Sequence, residues 1–452
     1  MSNHSRSNTE RSPRAAGASP WWLFVFLTTV FFFLYHDLPL APNMLDDYNP
    51  SLDQLVEGVS QGHEGRRIAL FSLGVVAVGI LVRHRTNRRL TMLGPLGWVV
   101  LAFPAWAFLS ALWADDLSQN LTRLAVFAIL CVAAVAVVRR LSLREIVLWS
   151  FFSTAVYLSI GIVSELVYGT LQPFTPGYRF GGSLHPNGQG VNCGLLLLSA
   201  MAGADLIERW RRFFWIAGFI AFIFLVLSGS RTALAAIVLA VIAYLIAVCS
   251  GRTKLAMTLC ASMVVGLLLS FAAAGFIPGL KDAILLGRED PDSVDTFSGR
   301  TAIWEDVGPY IRRSPILGYG YSGFWTPAHI NAISDLEEWG VSSSHSAYID
   351  YLLTLGTVGL LAYILGLVFG TVRAFSCYRL SQRCDYAFCG AVLVFCAIDG
   401  VFESGIGDPS LLMFLWMVIL IRLAFVPLQP HLQVSEECRS SLDHAGTAPA
   451  LF

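Results

Sequence analysis

The sequence predicts an all-α protein, a polytopic integral membrane helix bundle of about 12 transmembrane helices with one long extracytoplasmic loop. Three observations carry that expectation. Of 452 residues, 55% are hydrophobic and only 13% are charged, about half the charge of an ordinary soluble domain. Apolar runs long enough to enter a bilayer recur along most of the chain. Arginines gather in alternate connections between those runs, the pattern of a chain that crosses a membrane repeatedly.

The runs of the first half lie at 21–38, 68–82, 96–113, 124–138, 146–168 and 190–207. Those of the second lie at 213–228, 232–249, 255–277, 346–372, 386–402 and 409–426. The first follows Arg6, Arg11 and Arg14, an arrangement superficially like a signal peptide. Its length, its Phe and Trp content and the lack of a small-residue cleavage pattern make it a retained span. The runs at 68–82 and 124–138 are short for a hydrocarbon core roughly 30 Å thick.

One set of short connections holds Arg83, Arg85, Arg88 and Arg89, then Arg139, Arg140 and Arg144, then Arg209, Arg211 and Arg212. It continues with Arg252 and Lys254, then Arg373, Arg379 and Arg383. The alternate set holds only Arg66, Arg67, Arg123, Arg179 and Arg231. The imbalance puts both termini in the cytoplasm. The expected organisation is a tail over 1–20, a membrane domain over 21–426 and a second tail over 427–452. The long loop, 278–345, lies within the membrane domain on the outer side.

That loop opens with Glu289, Asp290, Asp292 and Asp295, followed by a helical pattern from Thr301 to Arg313, with Ser298 able to cap it and Pro315 beyond its end. Leu317 to Trp325 reads LGYGYSGFW, a turn-forming surface element. A connection of this length inside a membrane protein is functional or disordered, and its aromatic content argues for the former.

Composition excludes several functions. A net charge of −1 gives no general attraction to nucleic acid. The nine cysteines make no close CxxC pair, so no disulfide framework or zinc site is expected. Walker A, Rossmann and HExxH signatures are absent. Asp46–Asp47 and Asp115–Asp116 lack a third ligand, so no metal and no cofactor is expected.

Ionisable groups in or beside spans are costly and tend to be functional. Glu165, Asp350, Asp399 and Glu403 fall near the outer ends of their spans. Arg179, His185, Asn187, Arg231, Arg300 and His345 fall in outer connections. The outer arginines stand out because topology alone disfavours them. A guanidinium there either grips phosphate oxygens bidentately or snorkels to lipid headgroups. His345, in SSSHSAY, either takes a proton from a hydroxyl nucleophile or is structural, and the same choice holds for His185. Tyr348 and Asp350 are candidates to orient His345.

Four segments together resemble the O-antigen ligase and O-antigen polymerase superfamily, including bacterial exopolysaccharide polymerases. They are Arg179–Gly182 with His185-Pro186-Asn187, then Ser228–Leu234, then Ser298–Thr301 with Trp304 and Pro315–Gly320, and finally His345–Asp350 with Leu355–Gly359. The likeness covers about residues 95–425 and includes Ser110–Asp115. Ser346 stands where many relatives carry Asn.

The resemblance implies a GT-C-like glycosyltransferase architecture in a bacterial inner membrane. It also implies metal-independent glycosyl transfer from a polyprenyl-diphosphate-linked oligosaccharide donor to a glycan acceptor at the periplasmic face. In that scheme Arg231, with Arg300 and Arg179, holds the diphosphate, His345 is the base, and His185, Asn187, Tyr348 and Asp350 support them. Membrane lipids and a chain-length regulator are the further partners. Polymerisation of repeat units, ligation of a finished glycan to lipid A-core or another acceptor, and transport of a lipid-linked sugar are the three readings. Transport calls for polar groups at mid-membrane and interrupted helices in both halves. Here the charges collect toward one face.

Overall fold

The computed structural model describes residues 21–35, 64–83, 90–175, 177–249, 300–337, 339–404 and 409–428. Among the described residues the chain is entirely helical, with no strand. The expected ninth span at 255–277, the acidic stretch 289–295, Ser298, Asp46–Asp47 and both tails lie outside the described residues.

The membrane helices in chain order are α1 (Trp21–Tyr35), α2 (Glu64–Arg83), α3 (Gly94–Leu109), α4 (Leu117–Arg140), α5 (Leu143–Tyr168) and α6 (Pro186–Leu206). After α7 (Arg211–Leu227) and α8 (Arg231–Val248) come two helices of the long connection, α9 (Arg300–Arg313) and α10 (Pro327–Glu337). The chain then returns to the bundle with α11 (Ala347–Ser381), α12 (Cys384–Asp399) and α13 (Leu411–Phe425).

Seven of the described helices are long and apolar enough to cross a membrane, and α1 and α13 are shorter apolar helices. The segments expected as spans at 190–207 and 386–402 are helical but are not among the seven. α6 carries Asn187, Gln189 and Asn192 in its first half, and α12 has 16 residues. Both are enclosed by neighbours, α6 packing on α5, α7, α8 and α12, so they need less apolar surface than a helix facing lipid.

Two expected edges are corrected. The run at 124–138 is a 24-residue helix, because its polar first turns continue the hydrogen-bonded ladder under an Asp116 cap that accepts from Gln119 N at 2.9 Å. The run at 68–82 likewise begins at Glu64. α5 starts with a capping box, Ser142 and Glu145 satisfying each other's backbone N–H. α10 is an element that the sequence pattern did not announce.

α11 is broken at Gly356, whose φ of 64° and ψ of −167° are non-helical and open essentially to glycine alone. Residues 314–319 dock into the break. Thr357 N donates to Pro315 O at 2.9 Å, and Tyr319 N donates to Leu353 O at 2.9 Å. Trp106 Nε1 from α3 donates to Leu355 O at 3.0 Å. The groups freed by the break are thus satisfied by protein, as burial at membrane depth requires.

One hydrophobic core runs through the bundle, and a smaller one built on Ile303, Val307, Phe324, Ile333, Val341 and Leu353 holds α9 and α10 on the first turns of α11. The connections α5–α6, α7–α8 and α12–α13 gather at the same end as α9 and α10. The opposite end holds Arg139, Arg140, Arg209, Arg379 and Arg383.

Candidate functional site

The site is assembled from the connections at the α9–α10 end. It starts with Glu165, in the last turn of α5 and buried. Its Oε1 accepts from Gly181 N at 3.1 Å and Gly182 N at 2.7 Å, and its Oε2 accepts from the Tyr178 hydroxyl. Gly182 has a φ of +59° and packs its Cα against Gly161 of the same helix. A buried carboxylate thereby fixes the backbone on both sides of Arg179.

Arg179 is thus aimed at the α7–α8 turn. Its Nε donates to Ser228 O at 3.1 Å, and its Nη2 donates to Asn187 Oδ1 at 2.7 Å. Asn187 Nδ2 donates in turn to Glu403 Oε1 at 2.8 Å. Arg300, at the start of α9, meets the same oxygen through Nη2 at 2.8 Å. The side chains of Arg300 and Glu403 are only 13% and 17% exposed, so the pair is more than a surface contact. Phe402 supports it, with the Arg300 guanidinium 5.9 Å from its ring centroid and Trp304 stacked on it at 6.3 Å.

Glu403 is therefore the hub joining Arg179, Asn187 and Arg300. It also receives Ala347 N on its main-chain carbonyl at 3.1 Å, which ties the hub to the first residue of α11. Burial raises the Glu403 carboxyl above its ordinary value, opposed by Arg300, Asn187 and Arg179. Arg231 opens α8 under the Ser230 cap, three residues after the carbonyl that anchors Arg179.

His345 sits half-buried between Ser344 and Ser346 with a φ of +52°, a conformation uncommon outside glycine. The residues around it hold that geometry. Ser344 Oγ donates to Ser346 O at 2.9 Å, and Ser346 N donates back to Ser344 Oγ at 3.2 Å. Trp304 Nε1 donates to Ser344 O at 2.9 Å, and the Trp339 ring lies 6.1 Å from the imidazole. Burial, then the positive fields of Arg300 and His185, lower the His345 pKa to about 4. The imidazole is neutral at pH 7, the form that accepts a proton.

The expected supporting residues take separate places around these two groups. His185 is exposed and caps α6, its Nδ1 accepting from Asn187 N at 3.2 Å. Asp350 orients the backbone beside His345, Oδ1 accepting from Ser344 N at 3.2 Å and Trp325 Nε1 at 3.1 Å. Tyr348 turns to the bundle, donating to Ala397 O at 2.8 Å. Sequence reasoning weighed Glu165 and Glu403 only as acids near span ends. Their signal was a carboxylate at the outer end of a hydrophobic helix, which needs a cation or several N–H donors to be stable there. Trp304 and Trp325 entered the sequence reading only as members of resembling segments, with no role assigned to them.

Chemically, the end of the bundle gathers the guanidinium groups of Arg179 and Arg300 around Asn187 and Glu403 near a neutral imidazole. An O-antigen ligase family model matches residues 216–364, a stretch that includes Arg231, Arg300 and His345. Over 289 residues the chain is 24% identical to the exopolysaccharide production protein ExoQ of Rhizobium meliloti (strain 1021), covering 60% of this chain. The match spans 63% of that relative, less than two thirds of its length. Both support the O-antigen ligase/polymerase-like family that the four sequence segments resemble.

Proposed function

We propose, from this likeness to the O-antigen ligase and polymerase family, that the chain performs glycosyl transfer in the assembly of a bacterial surface polysaccharide. The donor is a polyprenyl-diphosphate-linked glycan, the acceptor a sugar hydroxyl, and the reaction takes place at the periplasmic end of an inner-membrane bundle. The observation that carries this reading is the Arg179–Asn187–Glu403–Arg300 hub beside an uncharged His345. No nucleotide sugar reaches that compartment, so an activated sugar must arrive on a lipid.

Arg231, Arg300 and Arg179 receive the diphosphate, competing with Glu403 for the guanidinium donors. His345 takes the proton from the acceptor hydroxyl. The oxygen attacks the anomeric carbon from the face opposite the leaving group, so configuration inverts. The carbon–oxygen bond to phosphate breaks, and its electron pair stays on the polyprenyl diphosphate, whose growing charge the arginines stabilise. A bound diphosphate also cancels the Arg300 field on His345, which strengthens the base when the donor is in place.

Two inputs support polymerisation of repeat units over ligation: the relative's role in exopolysaccharide production and the GYG…FW run, which resembles the polymerases. The test is reconstitution with a lipid-linked repeat unit, with and without a separate acceptor. A ladder from the lipid-linked unit alone is the expected result. A single transferred unit that requires the added acceptor makes the protein a ligase, and no product under either condition sinks the reading.

A further inference from the structure

Two guanidinium groups and an amide converge on one carboxylate at the hub, and the charges of that cluster decide which anions can enter it. Glu403 Oε1 accepts from Arg300 Nη2 at 2.8 Å and from Asn187 Nδ2 at 2.8 Å. Asn187 Oδ1 faces the other way and accepts from Arg179 Nη2 at 2.7 Å. Glu403 therefore answers two cations, one by direct contact and one through the amide, and its single charge can balance only one of them. The residue one turn earlier is another acid, buried Asp399, so that side supplies no further cation.

The cluster lies where lipid headgroups crowd. Val163, Leu166 and Val167, in the last two turns of α5, are exposed, an apolar surface suited to lipid. They bracket Glu165, whose carboxylate fixes the backbone beside Arg179, so lipid reaches the level of the hub. Bilayer phospholipids present phosphodiesters of at most one net negative charge there, in large excess over any diphosphate carrier. An open pair of arginines would fill with the anionic ones.

Glu403 is a competitor of equal charge that is tethered in place. A phosphodiester displacing it would exchange one monoanion for another against the effective concentration of the tether. A diphosphate brings two or more charges and enough oxygens to meet both guanidinium groups at once. It gains from the exchange where a phosphodiester does not.

We propose that Glu403 determines the specificity of the donor seat, as a built-in monoanion that excludes membrane phospholipid and yields to a lipid diphosphate. This rests on the glycosyl-transfer reading above and deepens it, because the carboxylate that competes with the donor is what selects it. Glu403 acts through Arg300 and Asn187 rather than on the reacting atoms.

The test uses full-length protein in phosphatidylcholine nanodiscs, with undecaprenyl diphosphate and phosphatidylglycerol as probes and native mass spectrometry as the readout. Wild type should bind undecaprenyl diphosphate and keep it against an equal concentration of phosphatidylglycerol, a comparison that needs no variant to fold. Glu403→Gln should hold the diphosphate at least as tightly and should bind phosphatidylglycerol roughly tenfold or more better than wild type. Loss of a merely structural strut would weaken both lipids instead. Adding Arg300→Gln to Glu403→Gln should remove the gained phosphatidylglycerol, which assigns it to the hub. Four results overturn the proposal: phosphatidylglycerol displacing the diphosphate from wild type, Glu403→Gln binding phosphatidylglycerol no better, Glu403→Gln binding the diphosphate more weakly, or a gain that survives Arg300→Gln. Transfer by a protein that gives any of these results overturns the role of Glu403 and leaves the reaction standing. Selectivity that moves as stated, with no transfer to any acceptor, leaves that role and overturns the reaction.

Discussion

His345 is the base of the proposed reaction, and its environment sets a pH signature. Its pKa of about 4 lies below the ordinary value near 6.5. The folded protein thus binds fewer protons than the unfolded chain between those values, and His345 costs stability increasingly as pH falls through that window. The Tm should drop between pH 6.5 and 4, and less so in His345→Asn, which has nothing to titrate there. For catalysis, kcat/KM should keep its plateau down to an acid limb near pH 4, whereas the kcat limb should lie at higher pH because the bound diphosphate offsets Arg300. His345→Ala at wild-type membrane levels should lower the transfer rate by roughly 10²–10⁴-fold. Glu165 is the other informative residue. Glu165→Ala strands the N–H groups of Gly181 and Gly182 and frees the backbone around Arg179. A buried unsatisfied donor costs about 1–3 kcal/mol, so thermal stability should fall. KM for the lipid-linked donor should rise more than kcat falls, and a KM equal to wild type would show that Arg179 needs no such anchor.

At the scale of elements, the break in α11 separates what was legible in the sequence from what was not. The apolar runs fall on eleven of the described helices, because hydropathy decides which segments leave water and a helix is the backbone's answer in lipid. The largest differences are at the start of α4, expected at 124 and found at Leu117, and at the end of α11, expected at 372 and found at Ser381. The helix of residues 300–313 followed from its flanking Pro315 and its pattern. Gly356 inside a hydrophobic run carried no such signal: glycine is common in membrane helices, and only the approach of residues 316–317 reveals why it is required. Gly356→Ala would place a Cβ about 2.0 Å from Ile316 O, on top of a backbone strain of roughly 1–3 kcal/mol. The variant should lose folded protein, measured as the monodisperse fraction on size-exclusion chromatography. Gly366→Ala, whose added Cβ would lie 3.4 Å from the end of a flexible Leu420 side chain, should be tolerated far better. Which carboxylate met which arginine was equally hidden, since Glu403 and Arg300 stand 103 residues apart and only folding brings them together.

For the whole molecule, the arginines divide by end. Arg139, Arg140, Arg209, Arg379 and Arg383 crowd the end opposite the hub, and buried Arg422 there donates to Val138 O and Leu141 O at 3.4 Å. The proposed orientation places that crowded end in the cytoplasm. In otherwise cysteine-free protein in intact cells, a cysteine at Ser342 should react with a membrane-impermeant maleimide, and one at Trp210 should react only after permeabilisation. The reverse pattern would leave the arginine hub without a lipid-linked donor in reach.

The seam between the broken helix and residues 314–319 restricts how anything gets in. Swinging that loop outward would strip Thr357 and Tyr319 of their main-chain partners, so a hinged cover is a poor device here. Amide hydrogens at those two positions should exchange with solvent as slowly as those of an intact helix. In the proposed reaction, reactants then glide in from the flank within the plane of the bilayer, and the lengthening glycan trails away into solution past a stationary rim.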